Sequence, residues 1–151
     1  MAIAFQKSVC LRSIDDHDGS DIVIQDILEE IPKGSADIRV HCGYGCLQLS
    51  WAENAILCEE FGIGKQCLGS WEPRLESSSA LSSGLELRVV RLKTTALSRL
   101  LRYEGQFEDA CDPLKQCLEM TQRGASCYHI MHHLADVYCE LRDPESAEKL
   151  V

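Results

Sequence analysis

The densest group of chemistry-bearing side chains is Cys127, His129, His132, His133 and Cys139. His129 stands three or four residues from His132 and His133. On a helix that spacing places two imidazoles on one face, where they can hold a divalent metal. A closed zinc site needs four converging ligands, and no second ligand pair follows: Cys127 lies one turn behind, and Cys139 faces the next layer. Exposed histidines on a surface are the expectation, and no metal and no cofactor is assigned. Cys42 and Cys46, a Cys-x-x-x-Cys pair beside His41 and two glycines, also lack a second pair nearby.

Nine cysteines and five histidines offer many nucleophile and base combinations, so number alone selects none. The chain has no Gly-x-Ser-x-Gly elbow and no dinucleotide fingerprint, and Gly62-Ile63-Gly64-Lys65 is too short for a phosphate loop. Asp15-Asp16, Glu29-Glu30 and Glu59-Glu60 are adjacent pairs, whose carboxylates on a helix point about 100° apart and form no catalytic dyad. No catalytic residue is assigned, and the chain reads as non-enzymatic.

The elements that carry these residues must come from one modest core. The 151 residues are 45% hydrophobic and only 6% aromatic, so Ala, Leu and Cys must do most of the packing. Twenty-four acidic against 15 basic residues leave a formal charge of −9, a field that repels phosphate and argues against a nucleic-acid partner. The longest run without a charged residue, 40–52, falls short of the ~20 residues that span a bilayer. No membrane segment is expected. The first fifteen residues, with Lys7, Arg12 and Asp15, lack the apolar stretch of a secretory signal. The cysteines therefore read as reduced and mostly buried small residues, and the location as cytoplasmic.

Residues 1–46 read as an N-terminal segment, partly irregular, with one short helix at about 20–31 capped by Ser20 or Asp21 and ended by Pro32 and Gly34. Residues 35–44 are ambiguous, because Ile38, Val40 and Cys42 alternate like a strand but Gly43 and Gly45 interrupt them. From Leu47 onward the period is helical. Segments are expected at 47–60, stopped by Phe61-Gly62-Ile63-Gly64; at 65–75, closed by a serine-rich stretch at 77–84; and at 85–104, ended by Gly105. Further segments are 107–120, followed by a turn at Gln122-Arg123-Gly124; 125–141, followed by a turn at Arg142-Asp143-Pro144; and a last helix from Glu145. The short connections favour antiparallel neighbours.

The sharpest internal pattern is Leu97-Ser98, Leu101, Gly105, Phe107, Ala110, Leu114 and Cys117-Leu118. It resembles a tetratricopeptide repeat. Met131, Leu134-Ala135, Tyr138 and Ala147 give a second match, with Arg142 where the family has Gly and Pro144 where it has an aromatic. Trp51, Ala55, Cys58, Gly62, Cys67 and Trp71 give a weaker one. The turns at Gly62, Gly105 and Arg142 are spaced wider than the family's ~34 residues. The resemblance implies an all-α fold, in which antiparallel helix pairs at about 47–75, 85–120 and 125–151 stack as a short right-handed solenoid. Small residues at Ala55, Ser98, Ala110, Ala135 and Ala147 let backbones approach, and Cys58, Cys67 and Cys117 act as wedges. Pro113, seven residues into its helix, departs from the pattern and removes a backbone hydrogen bond. The alternative is a generic helical bundle with coincidental spacing.

In such stacks the first helix of each pair lines a concave groove. The resemblance places Ala52, Ile56 and Glu59, then Leu92, Thr95, Arg99 and Arg102, then His129, His133 and Asp136 in that groove. The carboxylate clamp of chaperone-binding members is not carried over, because its positions hold Ala52, Ile56, Ala96, His129 and His133. The helix at 85–104 nonetheless concentrates Arg88, Arg91, Lys93, Arg99 and Arg102, which suits an acidic or carboxylate-bearing peptide. The alternative is a solvated face pairing with Glu86 or Glu104. The function expected is a protein-protein interaction module or adaptor, with Arg99, Arg102, Thr95, His129, His133 and Asp136 contacting the partner. Other readings are a terminal piece of the helical-repeat tail of a larger signalling NTPase, or an accessory protein of a biosynthetic pathway. The last helix stops without a polar capping helix, so self-association through it is a further expectation.

Overall fold

The computed structural model describes residues 2–32, 34–74, 80–120 and 127–150, with 2, 4, 5 and 80–83 as backbone alone. Among them are eight helices and no strand: α1 Ala2–Arg12, α2 His17–Glu30, α3 Ile38–Leu57, α4 Phe61–Gly69, α5 Ala80–Tyr103, α6 Phe107–Met120, α7 Cys127–Glu140 and α8 Pro144–Glu148. The turn expected at Gln122-Arg123-Gly124 lies outside the described residues, as does the part of the serine-rich stretch before Ala80. The chain divides into two compact units, Met1–Leu92 and Lys93–Val151, with the division inside α5.

Four helix hairpins share one turn. Asp15, Glu59, Gly105 and Arg142 adopt the left-handed conformation, with φ of 59°, 63°, 77° and 58°. In each, the left-handed residue's N–H bonds the carbonyl three residues back, and the next N–H bonds the carbonyl five back: Asp15 to Arg12 and Asp16 to Leu11, Glu59 to Ile56 and Glu60 to Ala55, Gly105 to Arg102 and Gln106 to Leu101, Arg142 to Cys139 and Asp143 to Tyr138. This is the double closure of a Schellman cap, which satisfies the last carbonyls of the first helix. The residue after the left-handed one then starts the second helix, its carbonyl accepting from Ser20, Gly64, Ala110 or Ala147. Asp16 and Asp143 add a side-chain cap, accepting from Gly19 N at 2.9 Å and Ser146 N at 3.1 Å.

The small residues that follow these turns let the paired helices close on each other. Ser20 and Ala110 are fully buried, and an added side chain at the buried Gly64 would meet Ile56 Cγ1 at 3.0 Å. Seven residues before each left-handed position stands another small residue: Ser8, Ala52 and Ser98, all buried, and the half-buried Ala135.

The N-terminal segment departs from expectation. It holds α1 and α2 complete and the start of α3, and the second helix begins at His17 with Asp16 as its cap rather than at Ser20 or Asp21. The region read as an ambiguous strand is helical from Ile38, capped by Asp37. α1 packs on α2 and α3, α2 on α3, and α3 on α4. Polar ties fix the set: Arg12 Nη1 donates to Glu53 Oε2 at 3.2 Å and to the Ser50 carbonyl at 3.3 Å. Asn54, 1% exposed, donates to Asp21 Oδ1 at 2.6 Å and to the His17 carbonyl at 3.1 Å, and accepts from His17 Nδ1.

Phe61 and its two glycines begin α4 instead of ending α3. Trp71, 2% exposed, lies just beyond α4, donates to the His41 carbonyl at 3.1 Å and stacks on the His41 ring at 5.3 Å. Gly45 makes this possible, because a Cβ there would sit 2.7 Å from the indole. Cys42 and Cys46 lie in the same region, and burial pushes both thiols up, Cys42 to about 11. They remain protonated packing residues. Cys58, expected as a wedge, is exposed at the C-cap of α3, beyond the reach of the core; Cys67 and Cys117 are buried.

In the second unit α6 packs on α7 and α7 on α8. Ala110, Cys111, Leu114, Cys117, Ile130, Leu134 and Val137 form the core, with Leu101 and Tyr138 against it. α6 keeps its full span across Pro113.

Candidate functional site

The buried stripe of α7, Cys127, Ile130, Leu134 and Val137, recurs every three or four residues. It therefore turns His129, His132, Asp136 and Glu140 away from the core and leaves His133 half-buried at the edge. The end of α5 anchors itself through Ala96 and Leu100, fully buried or nearly so, and carries Arg99, Arg102 and Tyr103 outward.

These side chains meet. The His129 and His133 rings lie edge to face with centroids 4.5 Å apart, and His132 follows at 6.3 Å from His133. His132 Nδ1 is 3.3 Å from Asp136 Oδ2. Arg102 donates from Nε to Glu140 Oε2 at 2.9 Å and from Nη2 to Oε1 at 2.6 Å, a bidentate fork. Arg99, Arg102, Tyr103, Phe107 and Glu140 line a recess of about 390 Å³. Burial, followed by the neighbouring His129 and Arg99, drives the His133 imidazole down to about 4; Asp136 opposes this and Arg102 adds to it. His133 is thus neutral at physiological pH.

Of the residues expected to contact a partner, Arg99, Arg102, His129, His133 and Asp136 are brought together. Thr95 is not: it is 4% exposed and its side chain belongs to the interior. Ala52 and Ile56 are fully buried, so they line no groove, and Glu59 is the left-handed residue of its turn. Glu86, considered as a surface partner for the basic helix, is 3% exposed and accepts from Arg74 N at 2.8 Å. The sequence reading missed Glu140, Tyr103 and Phe107 as parts of this face. Arg102 and Glu140 stand 38 residues apart, and only the folded chain joins them.

Chemically, the arrangement presents a bidentate cation, a second guanidinium, edge-to-face imidazoles and aromatic walls, the groups that recognise a carboxylate beside an apolar side chain. Among the described residues no three His, Cys, Asp or Glu side chains converge as metal ligands. No described helix is long and apolar enough to cross a membrane. No family model, no curated protein and no solved structure matches the chain.

Proposed function

We propose that this chain is a non-catalytic interaction module, built of tetratricopeptide-like helix hairpins, that holds a partner peptide against the α5 and α7 face of its second unit. The observation that carries this reading is the recurrence of one hairpin four times in one register. Each has a small residue seven before the left-handed turn residue and another five after it. A helical bundle without repeats has no reason to reuse a turn in this way. In stacked hairpins each pair leaves an apolar face for its neighbour, and the same positions recur. The α1–α2 hairpin brings Ser8 and Ser20 into the register that Ser98 and Ala110 carry in the sharpest repeat. Nine cysteines, most of them buried as packing residues, suit a reducing, cytoplasmic setting.

The test is affinity purification of the full chain with mass spectrometry, followed by quantification of each partner on an Arg99→Glu/His129→Ala variant. Recovery is expected to fall about tenfold or more, with the circular dichroism spectrum unchanged. Recovery equal to wild type removes the assignment of this face.

A further inference from the structure

Two arginines occupy the same place in the hairpin register, three residues before the left-handed residue: Arg12 before Asp15 and Arg102 before Gly105. Each reaches an acidic residue on the first helix of the next hairpin, but the two contacts are built differently. Arg12 is the deeper, with side-chain exposures of 13% for it and 25% for Glu53, and it also binds the Ser50 carbonyl. A backbone acceptor cannot leave, so this contact is a fixed strut. Arg102 directs both of its bonds to one carboxylate, and the exposures rise to 23% and 38% for Glu140. The pair stands at the wall of the recess shared with Arg99, Tyr103 and Phe107, where apolar surface lies beside a cation.

Resting on the interaction reading above, we propose that Glu140 is a resident stand-in for a partner carboxylate. An acidic side chain of a peptide, flanked by an aromatic or aliphatic residue, takes over the Arg102 fork and seats its apolar neighbour against Tyr103 and Phe107. The exchange conserves the number of charge-assisted hydrogen bonds, because Glu140 swings into water as the incoming carboxylate docks. One bidentate carboxylate replaces another at the fork, so the exchange there is close to neutral, while apolar burial in the recess supplies the drive. Arg99, one turn from Arg102, adds a second cation. His133 lies at the same face, its imidazole lowered first by burial and then by His129 and Arg99.

The experiment selects a phage library of random dodecapeptides on the full chain. The best synthetic peptide is then titrated by fluorescence polarisation against wild type, Glu140→Gln, Arg102→Gln and Arg99→Gln, with melting curves for each. Enriched peptides are expected to share Asp or Glu next to an aromatic or aliphatic residue. Removing the internal competitor in Glu140→Gln should tighten binding about two- to fivefold, the range set by a surface ion pair. Arg102→Gln should weaken it about tenfold. If Glu140→Gln melts below wild type, Arg99→Gln decides: weakened binding supports the exchange. Binding unchanged or weakened in a well-folded Glu140→Gln overturns it, as do peptides without an acid whose binding ignores Arg102; both outcomes leave the interaction reading intact. A library yielding no binder counts against that reading itself.

Discussion

A half-buried imidazole near two guanidinium groups is a proton-linkage element. His133 titrates near 4 in the folded chain against an ordinary value of 6.5, because burial and then His129 and Arg99 disfavour its charged form. Between those values the unfolded chain binds a proton that the folded chain refuses, so folding stability falls as pH falls through that window. Asp21 acts with the opposite sign. Burial raises its carboxyl, so its contribution worsens as pH rises. Asp37 and Asp143, held low by Arg39 and Ser146, lose their stabilisation only below the ordinary carboxylate value of 3.8. The acid-side slope above about pH 4 therefore combines the fall set by His133 with the opposing contribution of Asp21, and removing the imidazole isolates the former. Thermal melts across that window should show a falling midpoint for wild type and a flatter one for His133→Gln. Parallel curves would refute the burial of a neutral ring at this position.

At the scale of the element, the repeated turn carries a cost that can be measured. Glu59 and Arg142 hold left-handed backbone with side chains that disfavour it, whereas Gly105 does so freely. Glycine at either position relieves that strain but loses some unfolded-state restriction, for a net gain of about 0.5–1 kcal/mol in urea denaturation. Asp15→Gly should gain less, because Asp tolerates this conformation. Loss of stability in Glu59→Gly would show that its side chain has an anchoring role. The same turns explain which elements could be read from sequence. α6 was legible to its ends, because Gly105 marks its start and its apolar period is clean. α1 was not, since Ile3 and Val9 face solvent at 82% and 39% exposure, and among its described side chains the buried one is a serine, Ser8. Three of the four turns lack glycine, while Gly43, Gly45, Gly62 and Gly64 sit inside helices. Glycine as a marker of chain reversal therefore pointed to the wrong places in the first unit. The candidate site was legible as far as the repeat resemblance could carry it, through Arg99, Arg102, His129, His133 and Asp136. Glu140 became visible only through the bond it makes across the hairpins, and Thr95 was lost to the interior because period alone does not say which helix covers a face.

At the scale of the whole molecule, nine cysteines in a chain with few aromatic residues behave as packing material, and their reactivity should follow burial rather than sequence. Cys42, Cys67, Cys111, Cys117 and Cys127 are buried and Cys46 is half-covered, while Cys10, Cys58 and Cys139 are exposed. Thiolate is the reactive form, and a buried thiol is slow for want of access; Cys67, which burial raises to about 12, is slowed further. The exposed three are not equivalent either. Some burial, and then Asp21, Glu60 and Asp18, raise Cys58, so it should alkylate more slowly than an exposed thiol without such neighbours. Iodoacetamide labelling of the native chain, mapped by mass spectrometry, should therefore modify Cys10 and Cys139 first, then Cys58. The six others should wait for denaturant, which brings all nine to reaction. Early labelling of Cys67 or Cys117 would mean that the helix pairs they join open readily, and the hairpins would then be independent pieces rather than parts of packed units.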